Sequence, residues 1–310
     1  MGRYVLSRCR QVVPVLFGVT LITFLLIHVG LGDPVRAMMG QRSDPEIAAR
    51  IRTEYGLDKP LWNQYTLYMG KLLVGDLGYS YRQRRPVSRV LAERLPATVR
   101  LAFAAMVVAL LVGGIAGTIA AVRHNTLWDL LIMTLSLLGI STPVFWLGMM
   151  LILLFGVWLG WFPISGYGDG GFTHLVLPAL TLGALQAGYI ARMTRSALLE
   201  VLRQEYVQTA RAKGLRERVV ILKHALRNAI LPVLTLAGIG LAELLAGAPL
   251  TEMVFAWPGL GRLLVSALGN RDIPVVLGAT LLFALIYLGA NFLVDLAYAA
   301  IDPRVELTKR

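Results

Sequence analysis

Runs of uncharged residues divide the chain. Val12–Leu31 holds 20 residues without Asp, Glu, Lys or Arg, Leu101–Val122 holds 22, Leu130–Gly168 holds 39, and Ile273–Val294 holds 22. About 20 apolar residues cross the hydrocarbon core of a bilayer as a helix, so each run of 20–22 predicts one crossing. The 39-residue run exceeds one span but is short for two spans and a loop. Pro143 and Pro163 interrupt it, which predicts one helix over about 131–158, kinked near Pro143. A Gly-rich outer loop, 160–171, follows, with Trp158 and Trp161 at interface depth. Thr173–Ala191 is a further span, with Pro178 near its outer end. Ala229–Leu250 is another. It carries Glu243 and is broken up by Gly238, Gly240, Gly247 and Pro249. The pattern predicts an all-α membrane protein with six transmembrane helices.

Composition points the same way. The chain is 56% hydrophobic and only 15% charged, against about 25% charged in soluble proteins. A soluble domain of 310 residues could not cover its surface with so few polar groups. A disordered chain, a disulfide scaffold and an ordinary soluble nucleic-acid binder are excluded. The single cysteine, Cys9, permits no internal disulfide, and four scattered histidines form no Cys/His cluster, so no metal site is expected. The net charge of +12 is read as the cytoplasmic bias of membrane proteins.

That bias orients the chain. Arg3, Arg8 and Arg10 precede the first run, which is longer than the roughly 7–15 apolar residues of a signal peptide. It predicts a retained helix with its N-terminus in the cytoplasm. The polar stretch 33–99 carries eleven basic and seven acidic residues, but long loops translocate largely regardless of charge. Arg192–Arg227 carries nine basic and three acidic residues and is short enough for the charge rule, so it belongs inside. Six crossings then return the tail to the cytoplasm.

No GxxxxGK[ST], HExxH or GxSxG motif occurs, so no catalytic residue is assigned and any ATP consumed must bind another chain. The segment after Gln204 is more informative. Glu205–Lys213 reads as a helix, Gly214 as its left-handed cap and Arg216–Arg227 as a second helix. Two short helices about a glycine make a knob. The small side chains of Ala210, Ala212 and Gly214 would let another protein approach closely. Glu243 lines a path, belongs to a structural pair or is a protonated group near the interface, because ionisable groups inside a membrane are costly and face partners or cavities. Pro143 marks either a path-lining or an ordinary packing kink. An ion-coupled carrier or channel is the rival class. It predicts acids at paired repeat positions, and Glu243 and Asp295 form no such pair.

Thr209–Leu215 (TARAKGL) and Lys223–Pro232 (KHALRNAILP) resemble the signature loop of permease subunits of binding-protein-dependent ABC importers, in the dipeptide/oligopeptide/nickel branch. Gly214 matches the wider superfamily, whereas Gln208 and Thr209 stand where its Glu and first Ala lie. His224–Arg227 replaces its Ile-x-Leu-Pro end, a departure typical of the peptide branch. Supporting pieces run in order: YGLDKPLWNQY (Tyr55–Tyr65), GDLGYS (Gly75–Ser80), RLPATVRL (Arg94–Leu101), STPVFWLG (Ser141–Gly148), EMVFAWPGLGRLL (Glu252–Leu264) and DPRV (Asp302–Val305).

The resemblance implies a type I ABC importer permease fold, first subunit of its pair, in the inner membrane with both termini cytoplasmic. Its parts would be 1–31 (tail and first helix), 32–99 (extracytoplasmic), 100–300 (permease core with coupling loop 192–228) and 301–310 (tail). The implied partners are a second permease, two ATPase subunits and an external binding protein. ATP and Mg would bind the ATPases, and this chain would hold no cofactor. The implied coupling residues are Glu205, Thr209, Ala210, Arg211, Ala212, Lys213, Gly214, Leu215, Arg216, His224 and Arg227, while Pro143 and Glu243 stand as the candidate path residues. Peptides are the implied cargo, with glutathione or a nickel–ligand complex as alternatives.

Overall fold

The computed structural model describes residues 2–30, 45–46, 49, 52–53, 58–80, 82–168 and 170–301, except the side chains at 2–9, 11, 27–30 and 295–301. The helix-like piece DPEIAARIRTEYGL falls largely outside the described residues, as do the side chain of Asp295 and the tail 302–310.

The molecule is built of helices. α1 spans Gly2–Gly30 and α2 Leu61–Leu73. A two-stranded antiparallel hairpin, β1 (Tyr79–Ser80) and β2 (Arg85–Pro86), leads directly into α3, Val87–Val122. α4 (Leu127–Ser141) and α5 (Val144–Leu151) follow, the latter continuing as a π-helical stretch, Ile152–Trp158. α6 is Phe172–Leu202 and α7 is Glu205–Ala212. α8 runs over Glu217–Leu245 and contains a π-helical stretch, Val220–Ala225. Two short helices, α9 (Pro249–Val254) and α10 (Leu260–Gly269), precede α11, Ile273–Ile301.

Four of these helices are long and apolar enough to span a membrane: α3, α6, α8 and α11. The α4–α5 pair makes a fifth if taken as one span, and α1 contributes a shorter apolar segment, Val12–Leu26. The expected single helix over 131–158 is corrected, because α4 and its continuation meet at 107°. The residue before a proline is pushed out of the helical region. Thr142 accordingly adopts φ −80°, ψ 129°, and Pro143 φ −59°, ψ 125°. Two consecutive extended residues turn the chain, where a proline within a continuous helix would only bend it.

α3 and α6 form the spine. At 1.5 Å per residue, the 36 residues of α3 span about 54 Å, well beyond the roughly 30 Å hydrocarbon core. Small residues bring the two helices together, as in membrane bundles generally. Ala102, Ala105 and Ala109 are buried, and a Cβ on Gly183 would lie 2.8 Å from the carbonyl oxygen of Ala105. Gly188 brings α4 equally close, since its Cβ would lie 2.7 Å from the Ser136 carbonyl oxygen.

Two other expected spans shift. The fourth continues past Ala191 to Leu202, because Ala197 and Leu198 bury one face against Ala121, Ala225 and Ala229. The fifth ends at Leu245, not Leu250. Gly247 takes φ +98°, which stops the helix, and Pro249 then opens α9 at its first turn.

The long helices separate the connections into two groups. At one end lie the β-hairpin, α9, α10 and the start of α11, and there Val87 and Leu91 of α3, Leu260 and Leu263 of α10 and Val275 and Val276 of α11 share a core. At the other end lie the turn 123–126 and α7. α2 lies against α1, where Tyr65 packs edge-on to Phe17 and Phe24 and its hydroxyl hydrogen-bonds Thr20 Oγ1 at 3.0 Å.

Candidate functional site

The knob is real but differs from the expected pair of short helices. α7 is followed by Lys213 and by Gly214 at φ +75°, a left-handed position natural to glycine. The amide of Gly214 donates to the Arg211 carbonyl at 2.9 Å, and that of Lys213 to the Thr209 carbonyl at 3.0 Å. The expected second helix is the first turns of α8. The knob is therefore continuous in the chain with a helix of spanning length.

A miniature core holds α7 in place. Val207, Ala210 and Val220 are buried together against Val201 and Leu202. Ala210 thus points inward, which corrects its expected role in keeping the surface low. Val207 and Ala210 are three residues apart and share α7's inner face. Outside this core, Arg211 grips Glu217 in a fork, with Nε–Oε2 3.2 Å and Nη2–Oε1 2.7 Å. Asn228 Nδ2 donates to the Tyr206 hydroxyl at 2.6 Å. Glu205, Thr209, Ala212, Lys213, Gly214, Leu215, Arg216 and Arg227 are exposed, and His224 and Arg211 are half-buried. The outer surface of the knob is therefore basic and low around Gly214, where a Cβ would meet nothing within 4 Å.

A second arrangement near the same end was not anticipated. Asp129, in the first turn of α4, is buried and receives Arg195 of α6 in a fork, with Nε–Oδ1 2.6 Å and Nη2–Oδ2 2.8 Å. The amide of Asn125 donates to Asp129 Oδ2 at 3.0 Å, and His124 Nδ1 lies 3.1 Å from the same oxygen. This lock ties α4 to α6 two turns before the knob. An acid opening an apolar helix within reach of a basic stretch was its only trace in the sequence.

The two candidate path residues sit on different elements. Pro143 stands exposed at the α4–α5 break. Glu243 is exposed in the last turn of α8, not deep within a span, because α8 ends at Leu245. Gln186 Nε2 of α6 donates to Glu243 Oε2 at 3.5 Å.

At the opposite end, the FAWPGLG stretch, Phe255–Gly261, is held by buried partners. Glu252 is fully buried and accepts from Thr98 Oγ1 at 2.9 Å and from the Arg262 amide at 2.8 Å. Thr98 Oγ1 accepts the Leu260 amide at 2.8 Å, and Trp257 Nε1 donates to the Ala97 carbonyl at 2.9 Å. Burial raises the Glu252 carboxyl above its ordinary range despite these donors. Asp272 is also raised by burial, and it accepts from Ser80 Oγ at 2.6 Å. Among the described residues, no group of three His, Cys, Asp or Glu side chains is placed to hold a metal.

The chain is therefore a helical bundle with several helices long and apolar enough to cross a membrane, a braced protrusion at one end and a clamped loop at the other. Residues 110–307 match the family described as binding-protein-dependent transport system inner membrane component, and residues 1–102 match that system's membrane component N-terminal region. The chain belongs to this family. It is 46% identical to the di/tripeptide transport system permease protein DppB of Pseudomonas aeruginosa, covering 98% of this chain and 99% of that one. It is 43% identical to the dipeptide transport system permease protein DppB of Escherichia coli K12, over 100% of both chains. It is 45% identical to the glutathione transport system permease protein GsiC of E. coli O6:H1, over 98% and 99%. The inward-facing MetNI methionine ABC transporter shares the fold at 21% identity, with TM-score 0.56 over 69% of this chain and 97% of that chain. An amino acid ABC transporter does so at 14% identity, with TM-score 0.54 over 69% and 94%.

Proposed function

We propose that this chain forms half of the translocation path of an ATP-driven peptide importer. The relatives named for dipeptide and di/tripeptide transport support peptide cargo. Glutathione is itself a tripeptide, and the relative named for it supports testing it as a competing cargo. In this reading six spans leave both termini in the cytoplasm and 32–99 outside, with α4–α5 and α1 completing the count. A second permease closes the path, an external binding protein delivers cargo, and two ATPase subunits bind ATP and Mg. Glu243 and Pro143 face the path, where Glu243 escapes the roughly 2.5–3.5 kcal/mol cost of a charge in lipid.

The observation that carries coupling is the continuity of the knob with α8, braced by the Val207–Ala210–Val220 core and the Arg211–Glu217 fork. ATPase movement against Ala212–Arg216 would reach two spanning helices at once, α6 through the knob's core and α8 through the chain. The test is uptake of labelled dialanine by proteoliposomes holding the whole transporter, with binding protein outside and ATP inside. ATP-dependent uptake that glutathione does not suppress is the expected result. Uptake that proceeds without ATP and follows an ion gradient would overturn the reading in favour of a carrier.

A further inference from the structure

We propose that the arginine-lined cavity between the β1–β2 turn and α10 is a binding site for a carboxylate. The cavity encloses about 360 Å³, and its lining includes Arg82, Gln83, Arg94, Arg262, Ser266 and Asn270. Three separate elements converge there. Arg82 and Gln83 come from the hairpin turn, Arg94 from the third turn of α3, and Arg262 and Ser266 from α10.

The charges at this site are only partly balanced, because three arginines stand against two buried acids, Asp272 acting on Arg82 and Glu252 on Arg262. Arg82 Nη1 donates to the Asn270 carbonyl at 3.1 Å, and Arg262 Nη1 to the Ala256 carbonyl at 2.5 Å. Both acceptors are neutral, so they aim the guanidiniums without cancelling their charge. Salt bridges among the described residues include Arg85 with Glu93, His124 and Arg195 with Asp129, and Arg211 with Glu217, and none of these involves the three cavity arginines. One acid, Asp272, lines the cavity; it is buried, its Oδ2 accepts from Ser80, and its charge acts on Arg82 alone of the three. Like charges gathered from three elements repel one another unless an anion joins them. A guanidinium fork matches the two oxygens of a carboxylate, and Ser266, Asn270 and Gln83 add neutral donors around it. The cavity exceeds what a lone ion needs and suits a carboxylate borne on a larger group.

The location selects the class of ligand. The cavity lies at the end of the bundle opposite the knob, so under the proposed function, on which this inference rests, it faces outside. Two carboxylates reach that face: acidic side chains of the external binding protein and the C-terminal group of the peptide cargo.

The experiment uses the complete transporter in lipid nanodiscs. One arm measures its affinity for the purified binding protein at about 50 and 300 mM salt. The other measures binding of dialanine and of dialanine amide without the binding protein. Arg94→Gln and Arg262→Gln are expected to weaken binding in one arm by about tenfold each. Arg94→Lys should restore part of the loss, because it keeps the charge without the fork. Arg89→Gln, on α3 outside the cavity, should change neither arm. A loss confined to the first arm assigns the carboxylate to the binding protein. A loss confined to the second, seen for dialanine but not its amide, assigns it to the peptide. Unchanged binding in both arms for Arg94→Gln and Arg262→Gln would overturn the proposal. Dialanine uptake by the unsubstituted transporter, measured in parallel, shows separately whether the importer reading stands.

Discussion

Replacing Val207 with alanine removes two carbons from a side chain that is 0% exposed in the small core of the knob. At about 0.8 kcal/mol per buried carbon the loss is about 1.6 kcal/mol, before any cavity term. The neighbours, Ala210 and Val220, are small and fixed on helices, so the space cannot readily collapse. The core is local, and the spanning helices take their stability from elsewhere. The loss therefore favours detachment of α7 by about fifteenfold. Hydrogen exchange of the α7 amides in the complete transporter should accelerate by that factor, while α3 and α6 exchange unchanged. Trypsin cleavage at exposed Lys213 should rise in parallel. Under the proposed function, binding-protein-stimulated ATP hydrolysis and peptide uptake should both fall, since a loose knob absorbs motion without transmitting it. Val207→Ile should keep the core filled and retain most coupling. Unchanged α7 exchange would refute the assigned packing. Faster exchange with full coupling would refute the transmission role.

Gly214→Val should reduce coupling without lowering membrane levels. The backbone there is left-handed, which costs an L-residue about 1–2 kcal/mol, while the open space around it excludes a packing clash. Uptake and quantitative blotting check this, and wild-type uptake would contradict it. Glu252 and Asp272 both have raised folded-state pKa values, so the stability they contribute is complete below the ordinary carboxylate range and is lost as pH rises through the raised values. Exchange protection of α9 and α10 should therefore fall as pH rises above the carboxylate range, and Glu252→Gln should flatten much of that dependence; an unaltered profile would count against the burial argument. For orientation, cysteines at exposed Gln83 and Gln208 in a Cys9→Ser background should be labelled by an impermeant maleimide on intact cells at Gln83 only. Labelling at Gln208 alone would invert the topology.

The runs Leu101–Val122 and Ile273–Val294 revealed α3 and α11, because an uncharged stretch of span length has few alternatives. The length of α6 was hidden. Arg192 and Arg195 break its hydrophobic run, yet Ala191, Thr194 and Leu198 continue one buried face at helical spacing. Pro143 announced a disturbance but not its size, which depends on Thr142 also leaving the helix. Ala210 looked like a surface residue because a small side chain suits both a low surface and a tight core. Only its position three residues after Val207 hints at the second. The clamps were beyond reach. Asp129 and Arg195 are 66 residues apart, and Thr98 and Glu252 are 154 apart. No local spacing encodes such pairs.

These clamps define what can move. α3 and α6 meet through close backbone approaches at Gly113, Gly117 and Gly183, where sliding would drive side chains into main-chain atoms. Arg195 fixes α4 to the same unit at the knob end, and Trp257 and Glu252 fix α9 and α10 to α3 at the other. A joint of extended backbone lies at the α4–α5 break, at Thr142 and Pro143, and opening it must draw Gly148 of α5 away from Thr181 of α6 and from Phe255. Hinges of this kind absorb motion in a few residues between rigid bodies. Under the proposed function, alternating access should leave α3–α6 distances fixed while the angle at Pro143 changes. Spin labels at exposed Leu111 and Tyr189 should report one distance in the ATP-bound and resting transporter, and labels at Leu135 and Val157 two. A shift in the first pair with a constant second pair would place the hinge between α3 and α6 and refute the assignment.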